Sequence, residues 1–361
     1  MLALLTVTVL SLKLVYITLY PERYPRVKKI ASSLKGEDIT FQALVRKVRV
    51  NPPRRRVGRL IAAFINYTSF LIQIFFTRAD VYWVANAPDL FVLPLILRKR
   101  SYILDYRAPW PLEIMFEFGR GTLSRMAEYL TYVALKYAKA ITLTSTLLLK
   151  DVEKFQKKVF IIPNYPQKDY FQPDISYEQF RKMQNIGKNT KVILFLGRLN
   201  ENEGFDIFSD IVEKLLETKK KIALWIVGDG VLHPIAEELE RKFPTSVKFF
   251  GWRPYREIPN FINASDIGVM LRHKTLFSPY CNEEGVHKIS ELMFFSKPIV
   301  ACGIAPSKEY LLVERQELVK GILDALEGKA PKPTPRTWED DCKEKVLEVI
   351  NFIKSSEILH S

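Results

Sequence analysis

Two hydrophobic rhythms alternate along the chain. Short, largely apolar runs recur in LKLVYITL, at the start and end of ADVYWVANAPDLFVLPLILRKRSYILDY, in KAITLTS, KVFIIP, KVILFLG, KIALWIVG and VKFFGW, at the end of IPNFINASDIGVML, and in KPIVA. Each reads as a strand buried on both faces. Between them lie stretches whose apolar positions recur every three or four residues, such as FDIFSDIVEKLL, HPIAEELERKF and ISELMFF, the spacing of an amphipathic helix. Strand–helix–strand alternation of this kind predicts doubly wound parallel α/β sheets. Ligands of such sheets collect beyond the C-terminal strand ends. Periodicity lapses over 165–189, which is rich in Pro, Gln, Asp, Asn and Tyr, so the connection between two domains is placed there. The tail, WEDDCKEKVLEVINFIKSS, is an amphipathic helix after the Pro/Lys-rich APKPTPR.

Two apolar stretches break the rhythm. Residues 2–12 are apolar but stop at Lys13, too short to span a bilayer and with no basic residues before them, so no signal peptide is assigned. Residues 60–76 carry no charge and follow the basic run RKVRVNPPRRRVGR. A membrane-spanning helix, a helix packed on a sheet and an interfacial helix with its basic flank on lipid headgroups all remain open; Asn66, Thr68, Ser69 and Gln73 weigh against the first.

Length and composition sharpen this picture. At 361 residues the chain is comfortable for two domains. Its three cysteines form no CxxC pair and no metal spacing, which points to a reducing, cytoplasmic setting. The net charge of +14 is lopsided: residues 1–170 hold 27 Lys and Arg against 12 Asp and Glu, while the remainder is nearly neutral. A basic half of this kind attracts polyanions or an anionic membrane surface. Nucleic acid is the weakest such partner, because no aromatic platform interleaves the basic residues.

The densest candidate chemistry lies in 280–301, YCNEEGVHKISELMFFSKPIVA. It reads as a polar loop, a short helix, a break at Lys297-Pro298 and a buried strand. The first helical turn offers backbone N–H groups and the positive end of the helix dipole, a seat for phosphate. Glu283 precedes Glu291 by eight positions, one acid in the loop and one in the helix. Carboxylates beside a phosphate seat repel phosphate, so they are expected to face hydroxyls of a sugar or a ribose.

The Glu-x7-Glu spacing and the run K-I-S-E-L-M-F-F-S-K-P-I-V resemble the nucleotide-sugar signature of family 4 (group 1) glycosyltransferases of the GT-B fold. The G-R-L-x-x-x-x-G run and the I-V-G-D-G turn match the same family's nucleotide half, and N-A-P-D and Y-I-L-D-Y-R-A-P-W-P resemble its acceptor-side loops. The resemblance covers roughly residues 80 to 361. It implies two Rossmann-like doubly wound domains facing a cleft: an acceptor domain over 1–170, rejoined by the C-terminal helix at about 339–361, and a donor domain over 171–338. It implies a hexosyltransferase that moves a sugar from a nucleoside diphosphate sugar to a glycan or lipid-linked acceptor, with retention. Related patterns in inverting mannosyltransferases of lipid-linked oligosaccharides leave the stereochemistry open.

Residue by residue, the resemblance gives catalytic roles to Glu283, Arg198 and Lys288. It assigns donor binding to Gly197, Arg198, Gly228, Arg253, Glu284, Gly285, His287, Lys288 and Glu291, and the acceptor side to Asn86, Asp89, Asp105 and Arg107. Arg198 matches the arginine that holds the donor diphosphate, a task suited to a permanently charged two-pronged group. Trp252, in Gly251-Trp252-Arg253-Pro254, stands either at the nucleotide base or in the core. No metal or other cofactor is required, since cations and a helix start can carry the electrostatics. Two departures stand out. The loop after the first strand has Pro21 and Pro25 where relatives carry glycines, and Glu203 replaces the lysine expected before Gly204. The alternatives are a catalytically degenerate GT-B protein acting as a basic partner- or membrane-binding module, and a GT-B sugar-nucleotide epimerase, the latter poorly served by four histidines.

Overall fold

The computed structural model describes residues 11–19, 25–51, 56–218 and 220–358. The apolar run before residue 11, the loop containing Pro21 and part of the basic stretch at 52–55 lie outside them. The chain divides into two units, one formed by Met1–Ile162 with Cys342–Ser361, the other by Pro163–Asp341. The divide thus falls at Pro163, before the aperiodic stretch at 165–189. That stretch belongs to the second unit, where the short helix Tyr177–Met183 buries Phe180 against Trp225 and Phe261. A helix of seven residues, about two turns, is too brief a pattern to be visible in sequence.

The first unit holds β1 (Leu12–Ile17), β2 (Ile39–Leu44), β3 (Val81–Ala85), β4 (Tyr102–Tyr106), β5 (Ala140–Leu143) and β6 (Lys158–Ile161). They form one sheet in the order β2-β1-β3-β4-β5-β6, every neighbouring pair parallel. β3, β4 and β5 are buried along their whole length, as near-continuous apolar runs require, with Asp105 of β4 the one charge among them. Pro25 opens the helix Pro25–Ser33, where a missing N–H costs nothing. The C-terminal helix Lys343–Ile358 belongs to this unit and buries Val346, Val349, Ile350 and Ile353.

Residues 60–76 lie in the helix Arg56–Phe76, which buries Ala62, Phe70 and Ile74 while Phe64 is 71 % and Phe76 74 % exposed. Among the described residues no helix is long and apolar enough to cross a membrane. The helix therefore packs on one face and presents apolar side chains on the other.

The second unit holds β7 (Lys191–Leu196), β8 (Ile222–Val227), β9 (Val247–Phe249), β10 (Ile267–Leu271), β11 (Ile299–Cys302) and β12 (Leu311–Leu312). Their order is β12-β11-β10-β7-β8-β9, again all parallel. Counted from β7, this is the Rossmann order, whose winding reverses between β7 and β10. Two apolar layers cover the sheet. One is built from the helices Phe205–Leu216 and Leu318–Leu326, the other from Ile258–Ala264 and His287–Phe294.

Candidate functional site

In a doubly wound sheet the loops part where the winding reverses, leaving a crevice at the carboxyl ends of the strands. The second unit has its hollows there. One, of about 460 Å³, is lined by Gly197 and Arg198 after β7, Glu203, Arg272 after β10, Tyr255, and the helix start Gly285–Lys288 with Glu291. An adjoining one of about 790 Å³ shares Gly197 and Arg198 and adds Gly228, Asp229, Gly230, Trp252 and Arg253. Close backbone approach shapes the floor. Gly228 has φ +142°, and a Cβ there would sit 1.7 Å from the Gly197 carbonyl oxygen, so no side chain fits.

Glu203 does not point away from the site. Asn200 Oδ1 accepts from its amide at 2.9 Å, and Gly204 takes φ +70° with space for a hydrogen only: a Cβ would meet the Leu271 carbonyl at 2.4 Å. This turn presses Glu203 against the end of β10. Its carboxylate pairs with Arg272 Nη2 at 2.9 Å through one oxygen and with Lys288 Nζ at 2.6 Å through the other. Burial would raise the Glu203 carboxyl, but Lys288 and then Arg272 outweigh it and hold the group below its ordinary value. Burial lowers the Lys288 ammonium in turn, with Glu203 opposing. The three charges leave one net positive charge, to which exposed Arg198 adds a second.

The other expected donor residues divide. Glu291 is buried inside the helix His287–Phe294 and accepts from the Tyr255 hydroxyl, which burial and then Glu291 keep far from ionising. His287 and Gly285 line the smaller hollow, and Asn282 Oδ1 accepts from the Gly285 amide at 3.3 Å, bracing the turn. Arg253 lines the larger one and donates to the Phe250 carbonyl at 3.0 Å. Trp252 is 69 % exposed beside it, which ends its reading as a core residue. Glu283 and Glu284 are half-buried and line neither hollow. Burial raises the Glu283 carboxyl, and its Oε2 is buried without a hydrogen-bond partner.

The residues expected on the acceptor side are held by contacts within the first unit. Asp105 is 0 % exposed: Arg26 clasps it with Nη2 and Nε, each at 2.9 Å, Tyr16 donates at 2.6 Å and Thr142 at 2.7 Å. Burial would raise this carboxyl, yet Arg26 holds it below the usual value. Asp89 is buried against the Thr131 hydroxyl, and burial pushes it up to about 7. Asn86, also buried, accepts from the Arg107 amide at 2.8 Å and donates to the Ala108 carbonyl at 2.6 Å. Arg107 Nη2 returns to the Asn86 carbonyl at 3.1 Å. These residues fasten strand ends and loops; an aspartate at a strand end looks the same in sequence whether it faces water or a distant arginine.

Two residues of the site went unnoticed. Arg272 ends an apolar strand and looks like a stop signal, and Tyr255 sits in a loop ahead of an apolar helix. Only strand order, which sets β10 beside β7, reveals the first. Among the described residues no group of three or more His, Cys, Asp or Glu is arranged to hold a metal ion.

Comparison with known proteins agrees with this geometry. Residues 190–328 match the family model for group 1 glycosyl transferases, the segment that builds both hollows. Sucrose-phosphate synthase from Thermosynechococcus elongatus superposes with a TM-score of 0.63 at 14% identity, over 97% of this chain and 98% of that one. Anabaena HepE, solved with UDP-glucose, gives 0.60 at 15%, over 96% and 100%. WaaG, a glycosyltransferase of lipopolysaccharide biosynthesis, gives 0.58 at 14%, over 87% and 90%. No curated protein sequence matches significantly. The fold is thus that of the GT-B glycosyltransferases it superposes on, two parallel sheets in two units, and the second unit holds the segment that matches the group 1 glycosyl transferase model.

Proposed function

We propose that the second unit binds a nucleoside diphosphate sugar and transfers its sugar to a glycan or lipid-linked acceptor held by the first. The observation that carries this reading is the convergence of Arg198, Lys288 and the start of the helix His287–Phe294 on one hollow. A diphosphate placed there meets permanent charge and a helix N-terminus. The base lies toward Trp252 and Arg253 and the ribose hydroxyls toward Glu291; the family resemblance gives the sugar hydroxyls to Glu283. HepE is solved with UDP-glucose in a similar fold, which makes UDP-sugars the first donors to test.

In the reaction the anomeric carbon–diphosphate oxygen bond breaks and the acceptor hydroxyl oxygen bonds to that carbon, its proton passing to the departing phosphate. Arg198 and Lys288 stabilise the negative charge that grows on the leaving group, and no metal is assigned a part. Retention is the outcome that the family resemblance implies. The basic first unit, with Phe64 and Phe76 exposed on a helix flanked by arginines, fits an acceptor at the cytoplasmic face of an anionic membrane.

The test is release of nucleoside diphosphate from UDP-, GDP- and ADP-sugars with and without a membrane-lipid extract. Acceptor-dependent release that resists EDTA and falls at least roughly tenfold in Glu291→Ala supports the reading, and anomeric proton couplings of the product report the stereochemistry. The carboxylate of Glu203 inside the hollow favours one rival, a donor-binding module without turnover. Tight binding with no release under any acceptor would select that rival.

A further inference from the structure

The proposed donor reading leaves one feature of the hollow unexplained. Arg272 has no place in it, yet this guanidinium stands at the winding reversal, at the end of β10. Its amide is tied to the Cys302 carbonyl at 2.9 Å, so its backbone is part of the sheet. Nη2 reaches Glu203 at 2.9 Å and Nη1 reaches the Cys281 sulfur at 3.6 Å, while Nε is buried with no hydrogen-bond partner. A guanidinium held by one prong on an acid, a second on a weak sulfur acceptor and a third unsatisfied keeps donor capacity in reserve.

The acid opposite is equally constrained. The turn at Gly204 and the bond from the Glu203 amide to Asn200 leave Glu203 little freedom to swing away. Glu203 also takes Lys288, whose Nζ lies close over Gly197: a Cβ at Gly197 would stand 3.1 Å from it. One carboxylate thus gathers two cations, from β10 and from the helix start, onto the floor of the hollow beside Arg198.

We propose that Arg272 is a third ligand of the donor diphosphate, and that Glu203 is a positioning residue which holds Arg272 and Lys288 apart and aimed at it. This rests on the donor reading and deepens it. In the free protein Glu203 offsets part of the cations' repulsion; with donor bound, phosphate oxygens supply the acceptors that Arg272 lacks. The arrangement makes the site selective for a diphosphate over a nucleoside or a monophosphate, because three cations line the hollow and a second phosphate gives them further oxygens to bind.

The experiment is calorimetric titration of the full chain and of Arg272→Gln, Arg272→Lys and Glu203→Gln with UDP, UMP and uridine, and with the GDP and ADP series in parallel. Thermal unfolding without ligand is the control for folding. The expected result is that Arg272→Gln weakens the bound diphosphate roughly tenfold or more while the nucleoside changes less than about twofold. Arg272→Lys recovers part of the loss. Arg272→Gln also reduces the salt dependence of diphosphate binding, which a purely structural role leaves unchanged. Glu203→Gln steepens that salt dependence. Diphosphate affinity in folded Arg272→Gln equal to that of the parent overturns the inference and leaves the donor reading standing. Failure of the parent chain to bind any of the three diphosphates overturns both.

Discussion

The two units share one architecture and use charge at strand ends in opposite ways. In the first, the strand-end Asp105 is closed off by Arg26, Tyr16 and Thr142, and Asp89, just past β3, is buried with one oxygen on Thr131. In the second, Arg198 is open, and Arg272 and Lys288 share one carboxylate at the edge of a hollow. Equal geometry therefore does not mean equal purpose. A strand-end charge whose partners lie in its own core fixes the fold; one whose partners leave donors unfilled is available to a ligand.

The comparison is broken most forcefully at Asp105. Asp105→Ala removes the carboxylate that Arg26 clasps and leaves that charge in the core without this counter-ion, with an expected loss of about 3–5 kcal/mol in urea unfolding. If stability barely moves, the first unit's charges are not structural. Asp89 offers a subtler probe. Its folded-state carboxyl is raised from 3.8 to about 7, mainly by burial, so between those values the folded chain binds more protons than the unfolded one. Stability from this group is full below the lower value and fades as pH rises through the upper, with a slope of at most about 1.4 kcal/mol per pH unit. Asp89→Asn is expected to flatten that slope in denaturation curves taken across the range. The smallest effect belongs to the open unit: Trp252→Ala is expected to weaken nucleotide binding by about 1 kcal/mol, roughly fivefold, without shifting the unfolding midpoint. Unchanged nucleotide affinity would take Trp252 out of the base site.

Legibility in sequence followed the range of the interactions. Most strands showed because each is a short, largely apolar run that needs no partner to be recognised, as in Lys191–Leu196 and Ile222–Val227. Gly197-Arg198 and the loop-to-helix step at Gly285–Lys288 showed because strand end and helix start are local signals. The strand Ile39–Leu44 escaped, since ITFQAL mixes polar and apolar positions at a sheet edge. Arg272 escaped because its worth depends on β10 lying next to β7 and on Glu203, 69 positions earlier in the chain. The clasp on Asp105 was hidden for the same reason, its arginine standing 79 positions away.

The central claim is that a diphosphate is held by Arg198 and the start of the helix His287–Phe294. Its most direct test is titration of UDP, GDP and ADP, with the matching nucleosides, into the parent chain and Arg198→Ala. The account predicts that the diphosphate which binds the parent binds the variant roughly tenfold or more weakly, with the nucleoside and the unfolding midpoint unchanged because Arg198 is exposed. Equal diphosphate affinity in the two proteins would contradict it.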